Sequence, residues 1–306
     1  MKLAHLSDFH FHVRPSLREM ASKRAWGMAN LYIKGRVHHF HTEIARSAIA
    51  SVLDESPDAV VISGDLTALA SPAEFELALD NLKPLLESLP VFIVPGNHDC
   101  YTRQANKTQR IREYFGPYLH YRSDAPGEYP TEVRLDDVVL LGMNPCRFHI
   151  GSSGRILEDE LKRLEARLAA LPRHLFRILV IHYPILNRHG KPNAGYWRRL
   201  EGAEDLRELL LRQPVNLLLH GHDHMRYLNI LHPSQDSPIY LYNSGSAAFD
   251  RGSDYPIHAS YNLYEIEEGR LAKVIHKDWN GNTFISTYEG PPLIPESTDR
   301  APHDTY

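Results

Sequence analysis

Val91-Phe92-Ile93-Val94-Pro95-Gly96-Asn97-His98-Asp99 decides the fold: a short apolar run turns at Pro-Gly and then presents an amide, an imidazole and a carboxylate. A run of this length, rich in β-branched and aromatic residues, suits a buried strand rather than a helix, so the polar residues follow a strand end. Working outward, the same design recurs four times. Upstream, Ala59-Val60-Val61-Ile62-Ser63 leads through Gly64 to Asp65, and Leu3-Ala4-His5-Leu6-Ser7 leads to Asp8 and His10. Downstream, Arg177-Ile178-Leu179-Val180-Ile181 leads to His182, and Val215-Asn216-Leu217-Leu218-Leu219 leads through His220 and Gly221 to His222 and His224. Side chains two apart on an extended chain point the same way, which predicts that Asp8 with His10, and His222 with His224, act as pairs.

These residues read as metal ligands. Mixed aspartate, asparagine and histidine donors suit Mn, Fe, Zn or Co, whereas all-oxygen shells favour Mg or Ca, and thiolates are missing from the set. A carboxylate has two oxygens, so Asp65 is suited to bridge two cations. Two ions about 3.5–4 Å apart around such a bridge activate a water and clamp phosphoryl oxygens during in-line attack. Two divalent ions, with manganese favoured in vitro, are therefore the expected cofactors.

The order D-x-H, G-D, G-N-H-D, H, G-H-x-H resembles the calcineurin-like metallophosphoesterase superfamily. The motifs span residues 8–224, about three quarters of the chain. Each is weak alone, but five in order at five strand ends are specific. The resemblance implies that Asp8, His10, Asp65 and His224 hold one metal, and that Asp65, Asn97, His182 and His222 hold the other. It further implies that His98 contacts the scissile phosphate or protonates the leaving oxygen, with Asp99 orienting it. The implied fold is α/β, a four-layer α-β-β-α sandwich with two mixed sheets. Two residues depart from the common pattern without removing a ligand: Tyr183 follows His182 where a second histidine is common, and Asp223 stands inside G-H-x-H where threonine is common.

Helical patterns at 43–55, 72–89 with Ser71 as N-cap, 157–171 and 203–213 alternate with the motif strands. That alternation predicts right-handed crossovers and a largely parallel first sheet, with the ligands at its carboxyl ends. Strand character at 132–135, 138–143, 227–231, 239–242, 261–266 and 271–276 predicts a second, mixed sheet, and Glu267-Glu268-Gly269-Arg270 a hairpin turn.

With 306 residues and no repeat, the chain predicts one domain over 1–289, carrying a basic and aromatic helical insertion at 14–41, followed by a poorly ordered tail at 290–306. The net charge of −4 argues against a general polyanion binder, and nucleic acid is not an expected partner. Two cysteines, Cys100 and Cys146, form no disulfide framework, and Met1 leads straight into a strand without a signal-like region. A reduced, cytoplasmic protein is expected, without a spanning helix.

The insertion sets Arg14, Arg18, Lys23, Arg24, Lys34 and Arg36 against Glu19, interleaved with Trp26, Met28, Leu31, Tyr32 and Ile33. That composition suits an anionic membrane surface or lipid phosphate, giving possible peripheral contact at the inner membrane, and equally suits an amphipathic helix with solvated cations. Lys23-Arg24, Gly27 and Asn30, with Gly96 to Thr102, loosely resemble the UDP-2,3-diacylglucosamine pyrophosphatase branch. The candidate substrate is thus that lipid-linked pyrophosphate. The alternatives are a 3′,5′-cyclic nucleotide or another soluble diester and, in a different class, a noncatalytic protein-binding module. His12, Tyr101 and Tyr183 are weaker substrate-binding candidates, whereas His5 and His220 read as core or supporting residues. His38, His39 and His41 read as surface residues.

Overall fold

The computed structural model describes residues 1–13, 39–147, 152–192, 199–233, 238–252 and 255–293. In chain order its elements are β1 (Lys2–Leu6), α1 (Thr42–Asp54), β2 (Ala59–Ile62), α2 (Pro72–Ser88), β3 (Val91–Ile93), α3 (Arg103–Thr108), α4 (Arg110–Phe115), β4 (Thr131–Leu135), β5 (Val138–Met143), β6 (Gly154–Arg155), α5 (Glu158–Ala170), β7 (Phe176–Ile181), β8 (Leu200–Glu201), α6 (Ala203–Arg212), β9 (Leu217–His220), β10 (Arg226–Leu231), β11 (Ile239–Ser244), β12 (Ser260–Glu267), β13 (Arg270–Trp279) and β14 (Phe284–Gly290).

One six-stranded sheet has the order β14-β13-β12-β1-β2-β3 and the other β10-β11-β9-β7-β5-β4. Both are mixed. β1, β2 and β3 pair in parallel while β12 adds antiparallel to β1. β5, β7, β9 and β11 are parallel, with β4 and β10 antiparallel at the edges. This corrects the expectation of one sheet holding every motif strand. The strands before Asp8, Asp65 and Asn97 lie in one sheet, and those before His182 and His222 lie in the other.

Three apolar layers explain the sandwich. Leu3, Val61, Phe92, Val180 and Leu219 fill the space between the sheets. α1 and α2 cover the outer face of the first sheet through Ile44, Ala48, Ile49, Phe75, Ala78, Leu82 and Leu85, spaced for one helical face. α5 and α6 cover the second through Leu164, Leu168, Leu206 and Leu210. Each such buried aliphatic side chain contributes on the order of 2 kcal/mol. α2 starts as the sequence predicts: the Ser71 side chain accepts from the Glu74 N–H, Glu74 reaches back to the Ser71 N–H, and Pro72 needs no partner at the first turn. Strand and helix ends otherwise match the sequence reading to within a few residues. α3, α4, the β6–β8 pair and β14 were not predicted; Gln109, at φ 48°, separates the two short helices.

Residues 14–38 of the basic insertion lie outside the described residues, so Arg14, Lys23, Arg24 and Arg36 receive no structural account. The tail expected from 290 begins inside β14 and, beyond 293, also lies outside them. No helix among the described residues is long and apolar enough to cross a membrane.

Candidate metal centre

All seven expected ligands converge beyond the carboxyl ends of β1, β2, β3, β7 and β9, where the two sheets open. They do not get there on extended chain. Asp8 (φ 55°), His10 (49°), Asp65 (55°), His222 (75°) and His224 (57°) all have left-handed backbone, so the pairs converge through turns rather than through strand alternation. Each such residue costs on the order of 1 kcal/mol or more, and surrounding contacts must hold it in place. Here those contacts are a ladder outside the sheets. The N–H groups of Asp8, His10 and Phe11 donate to the carbonyls of Gly64, Asp65 and Leu66 at 3.0, 3.0 and 2.9 Å. The Ser246 hydroxyl donates to the Asp8 carbonyl at 2.6 Å. Two glycines make room: a Cβ on Gly96 would overlap the Asp65 carboxylate, and one on Gly221 would overlap Ser7 Oγ and Asp8 Oδ2.

Asp8, His10, Asp65 and His224 form the first cluster, with one donor atom each within 4.8 Å of the others. His10 Nε2 and His224 Nε2 are 3.0 Å apart, and His224 Nε2 is 3.3 Å from Asp8 Oδ1. That Asp8 oxygen is buried and accepts no well-oriented hydrogen bond, whereas Oδ2 accepts the His222 N–H at 3.0 Å. Asp65, Asn97, His182 and His222 form the second cluster. Asn97 Oδ1 stands 2.9 Å from His222 Nδ1 and 3.1 Å from His182 Nε2. Those two nitrogens are 3.3 Å apart. Asp65 Oδ2 belongs to both clusters, 3.6 Å from His10 Nε2 and 3.3 Å from His182 Nε2.

The donor chemistry fits a pair of cations. His182 Nδ1 lies 2.8 Å from the Ser63 carbonyl, which only accepts, so the neutral ring carries its proton there and turns a lone pair at Nε2 toward the centre. Burial works against charge on Asp65, yet His182, His98 and His10 hold its carboxyl well below the usual range. Asp8 is likewise held well below that range by His10 and His224 in spite of its burial. Burial lowers the His10 pKa to about 4, whereas Asp65 overcomes burial at His182 and raises it to about 9. Two carboxylates held ionised among crowded imidazoles attract positive charge, and bound cations compete with protons for the same lone pairs.

The two residues expected to act on substrate are placed differently. His98 is half-buried, its ring edge packs against His10 at 4.6 Å, and its Nδ1 donates to the Ala68 carbonyl at 2.6 Å. Asp99 does not orient it, a correction to the sequence reading. Its carboxylate instead accepts the N–H groups of Gly96 (2.9 Å), Thr67 (2.9 Å) and Leu66 (3.3 Å), plus the Thr67 hydroxyl at 3.1 Å. Asp99 therefore ties the loop carrying Asn97 to the loop carrying Asp65. Burial, and then Asp65, raise its pKa to about 6 against those bonds.

Of the weaker candidates, Tyr101 is half-buried and stacks on His98, with centroids 5.5 Å apart and planes 19° apart. Tyr183 is fully buried in the core under α5 and α6, and its ring packs against those of His182 and His222. His12 is half-buried with Nδ1 3.3 Å from its neighbour's carbonyl, that of His10. His5 and His220 are buried supports, as expected. The His5 Nε2 meets Ser63 Oγ at 2.8 Å, and burial lowers the two rings to about 3 and about 4. Asp223 accepts the Tyr227 hydroxyl at 2.7 Å. Sequence reasoning missed Phe40 and Phe249 beside His10 and His224, because neither adjoins a ligand motif.

The family profile for calcineurin-like phosphoesterase matches residues 1–226, and the chain belongs to that family. By sequence it is similar to a Synechococcus protein named as a probable cyclic nucleotide phosphodiesterase, 28% identical over 188 residues, 61% of this chain and 66% of that protein. It is also similar to the glycerophosphodiester phosphodiesterase GpdQ of Enterobacter lignolyticus, 31% identical over 99 residues, 32% of this chain and 30% of that protein. The matched regions thus span less than two thirds of these relatives. In fold it is similar to a dimetal phosphatase from Danio rerio, with TM-score 0.59, 13% identity and coverage of 93% and 98% of the two chains. A purple acid phosphatase from yellow lupin gives TM-score 0.61, 11% identity and coverage of 99% and 56%.

Proposed function

We propose that this protein is a two-metal phosphodiesterase acting on a small soluble diester. The observation that carries the proposal is Asp65 Oδ2, one carboxylate oxygen within 3.6 Å of a histidine from each ligand cluster. Asp8, His10, Asp65 and His224 would hold one ion and Asp65, Asn97, His182 and His222 the other, with Mn, Fe, Zn or Co matching the donors. When bound, such ions supply an acidified water and neutralise phosphoryl oxygens. The chain's own groups then orient the substrate. His98, its Nδ1–H committed to the Ala68 carbonyl, presents Nε2 to the phosphoryl oxygen or to the departing alkoxide, to which it donates a proton as the imidazolium. Asp99 keeps Asn97 and Asp65 in mutual register.

The names of the sequence relatives favour cyclic nucleotides or glycerophosphodiesters over UDP-2,3-diacylglucosamine. The basic insertion on which the lipid reading rested lies largely outside the described residues. A cytoplasmic placement accords with a soluble substrate and is part of this proposal. The deciding experiment is the initial rate of manganese-loaded protein on bis-p-nitrophenyl phosphate, 3′,5′-cyclic AMP and glycerophosphoethanolamine, with Asp65→Asn as control. Turnover of at least one that vanishes in the variant supports the reading. Inert wild-type protein with two bound metal ions overturns it in favour of a noncatalytic module.

A further inference from the structure

Beside the first ligand cluster stands a row of aromatic rings that none of the ligand motifs contains. Phe40 packs on His10 at 4.3 Å and edge-on against His224 at 5.2 Å. Phe249 packs against Phe40 at 5.4 Å and His224 at 6.1 Å, and Tyr255 continues the row at 6.2 Å from Phe249. Arg251 lies over the Tyr255 ring at 4.3 Å. Phe40, Phe249 and Tyr255 are half-buried, and Arg251 is exposed.

The row is held rigidly. Phe40 and Phe249 face each other in an antiparallel bridge, closed by His41 N–H to Ala248 O at 2.9 Å and Asp250 N–H to His39 O at 2.8 Å. The Phe249 N–H also donates to Ser246 Oγ at 3.1 Å, the same hydroxyl that holds the Asp8 carbonyl. The wall and the first ligand cluster are thus one backbone unit, and the position of the phosphate determines what meets the rings.

We propose that Phe40 and Phe249 form the stacking wall for a nucleobase, making the substrate a nucleoside phosphodiester rather than a glycerophosphodiester. This rests on the phosphodiesterase reading above. A planar base gains from an aromatic face regardless of its hydrogen-bonding edge, whereas a polyol headgroup needs polar partners that phenyl rings do not supply.

Phe249 is the better test position, because Phe40 touches two metal ligands. With manganese-loaded protein, Phe249→Ala is expected to lower the ratio of kcat/KM for 3′,5′-cyclic AMP to that for glycerophosphoethanolamine by about tenfold to a hundredfold, while Phe249→Tyr restores it. Calorimetry with the products supplies a second readout: 5′-AMP binding weakens by a similar factor, and sn-glycerol 3-phosphate binding weakens far less. An unchanged ratio in a variant of normal metal content and melting temperature overturns the wall while leaving the diesterase reading intact. Failure of the wild type on every diester overturns both.

Discussion

Asp65 Oδ2 and His182 Nε2 meet at 3.3 Å, and the strands that deliver them, β2 and β7, belong to different sheets. The centre is therefore a seam: ligands from each sheet complete the shell, and neither sheet alone carries it. Asp65→Asn keeps the shape but removes the charge that two clusters share. Turnover is expected to fall by more than about a hundredfold, beyond what loss of an outer-shell partner costs. Plasma emission spectrometry should show fewer metal ions per chain in the purified variant than in the wild type. Full metal content with unchanged rates would sink the bridging role.

Asp99 and His98 are neighbours with separate tasks. Asp99→Asn sets an amide N–H against backbone donors, a loss of about 1–3 kcal/mol that calorimetric unfolding should register. Metal affinity should fall with it, because the Asn97 and Asp65 loops lose their tie. The alkaline limb of the pH–rate profile, where a proton-donating His98 would lose its proton, should stay in place. A displaced limb at unchanged stability would return Asp99 to the role of orienting His98.

Gly96 sits where a side chain would occupy the space of the Asp65 carboxylate. Gly96→Ala is therefore expected to cost metal affinity before it costs fold. Manganese added to the chelated wild type should raise its melting temperature, with about 2.7 kcal/mol of stabilisation at a free metal concentration a hundred times Kd. The variant should show a shift less than half as large. An equal shift would mean that the loop moves aside freely.

His5 is expected to add to the acid sensitivity of the fold. Burial lowers its folded-state pKa from 6.5 to about 3, so the unfolded chain binds the proton more readily. Its contribution is complete above pH 6.5 and drains away as pH falls toward 3. By about pH 4.5 the loss is on the order of 2–3 kcal/mol. His5→Gln, which keeps a donor for Ser63 without titrating, should flatten the decline in melting temperature below pH 6.5. A decline as steep as the wild type's would place the acid sensitivity in other groups.

The donor set was legible in the chain because its signals are local. An apolar run that stops at a glycine and is followed by Asp, Asn or His marks a strand end with a ligand, and five such ends in order imply one centre. The capping box of Ser71 and Glu74 was legible for the same reason. The partners of those ligands were not. The Ser63 carbonyl that sets the His182 tautomer and the Ala68 carbonyl that holds His98 are backbone atoms that every residue carries, so no side chain marks them.

By itself, then, the sequence marked the candidate donor atoms and that they follow strands, since both are written in contiguous residues. Tertiary structure alone decided how the five strands divide between two sheets, that Asp8 and His10 converge through left-handed turns, that Asp99 binds backbone, and that Phe40 and Phe249 flank the centre. Each depends on at least one contact between residues tens to hundreds of positions apart, as in the Thr67 and Leu66 N–H groups that Asp99 accepts. Strand pairing and ring packing are settled by what the rest of the chain buries, and a local pattern does not encode that.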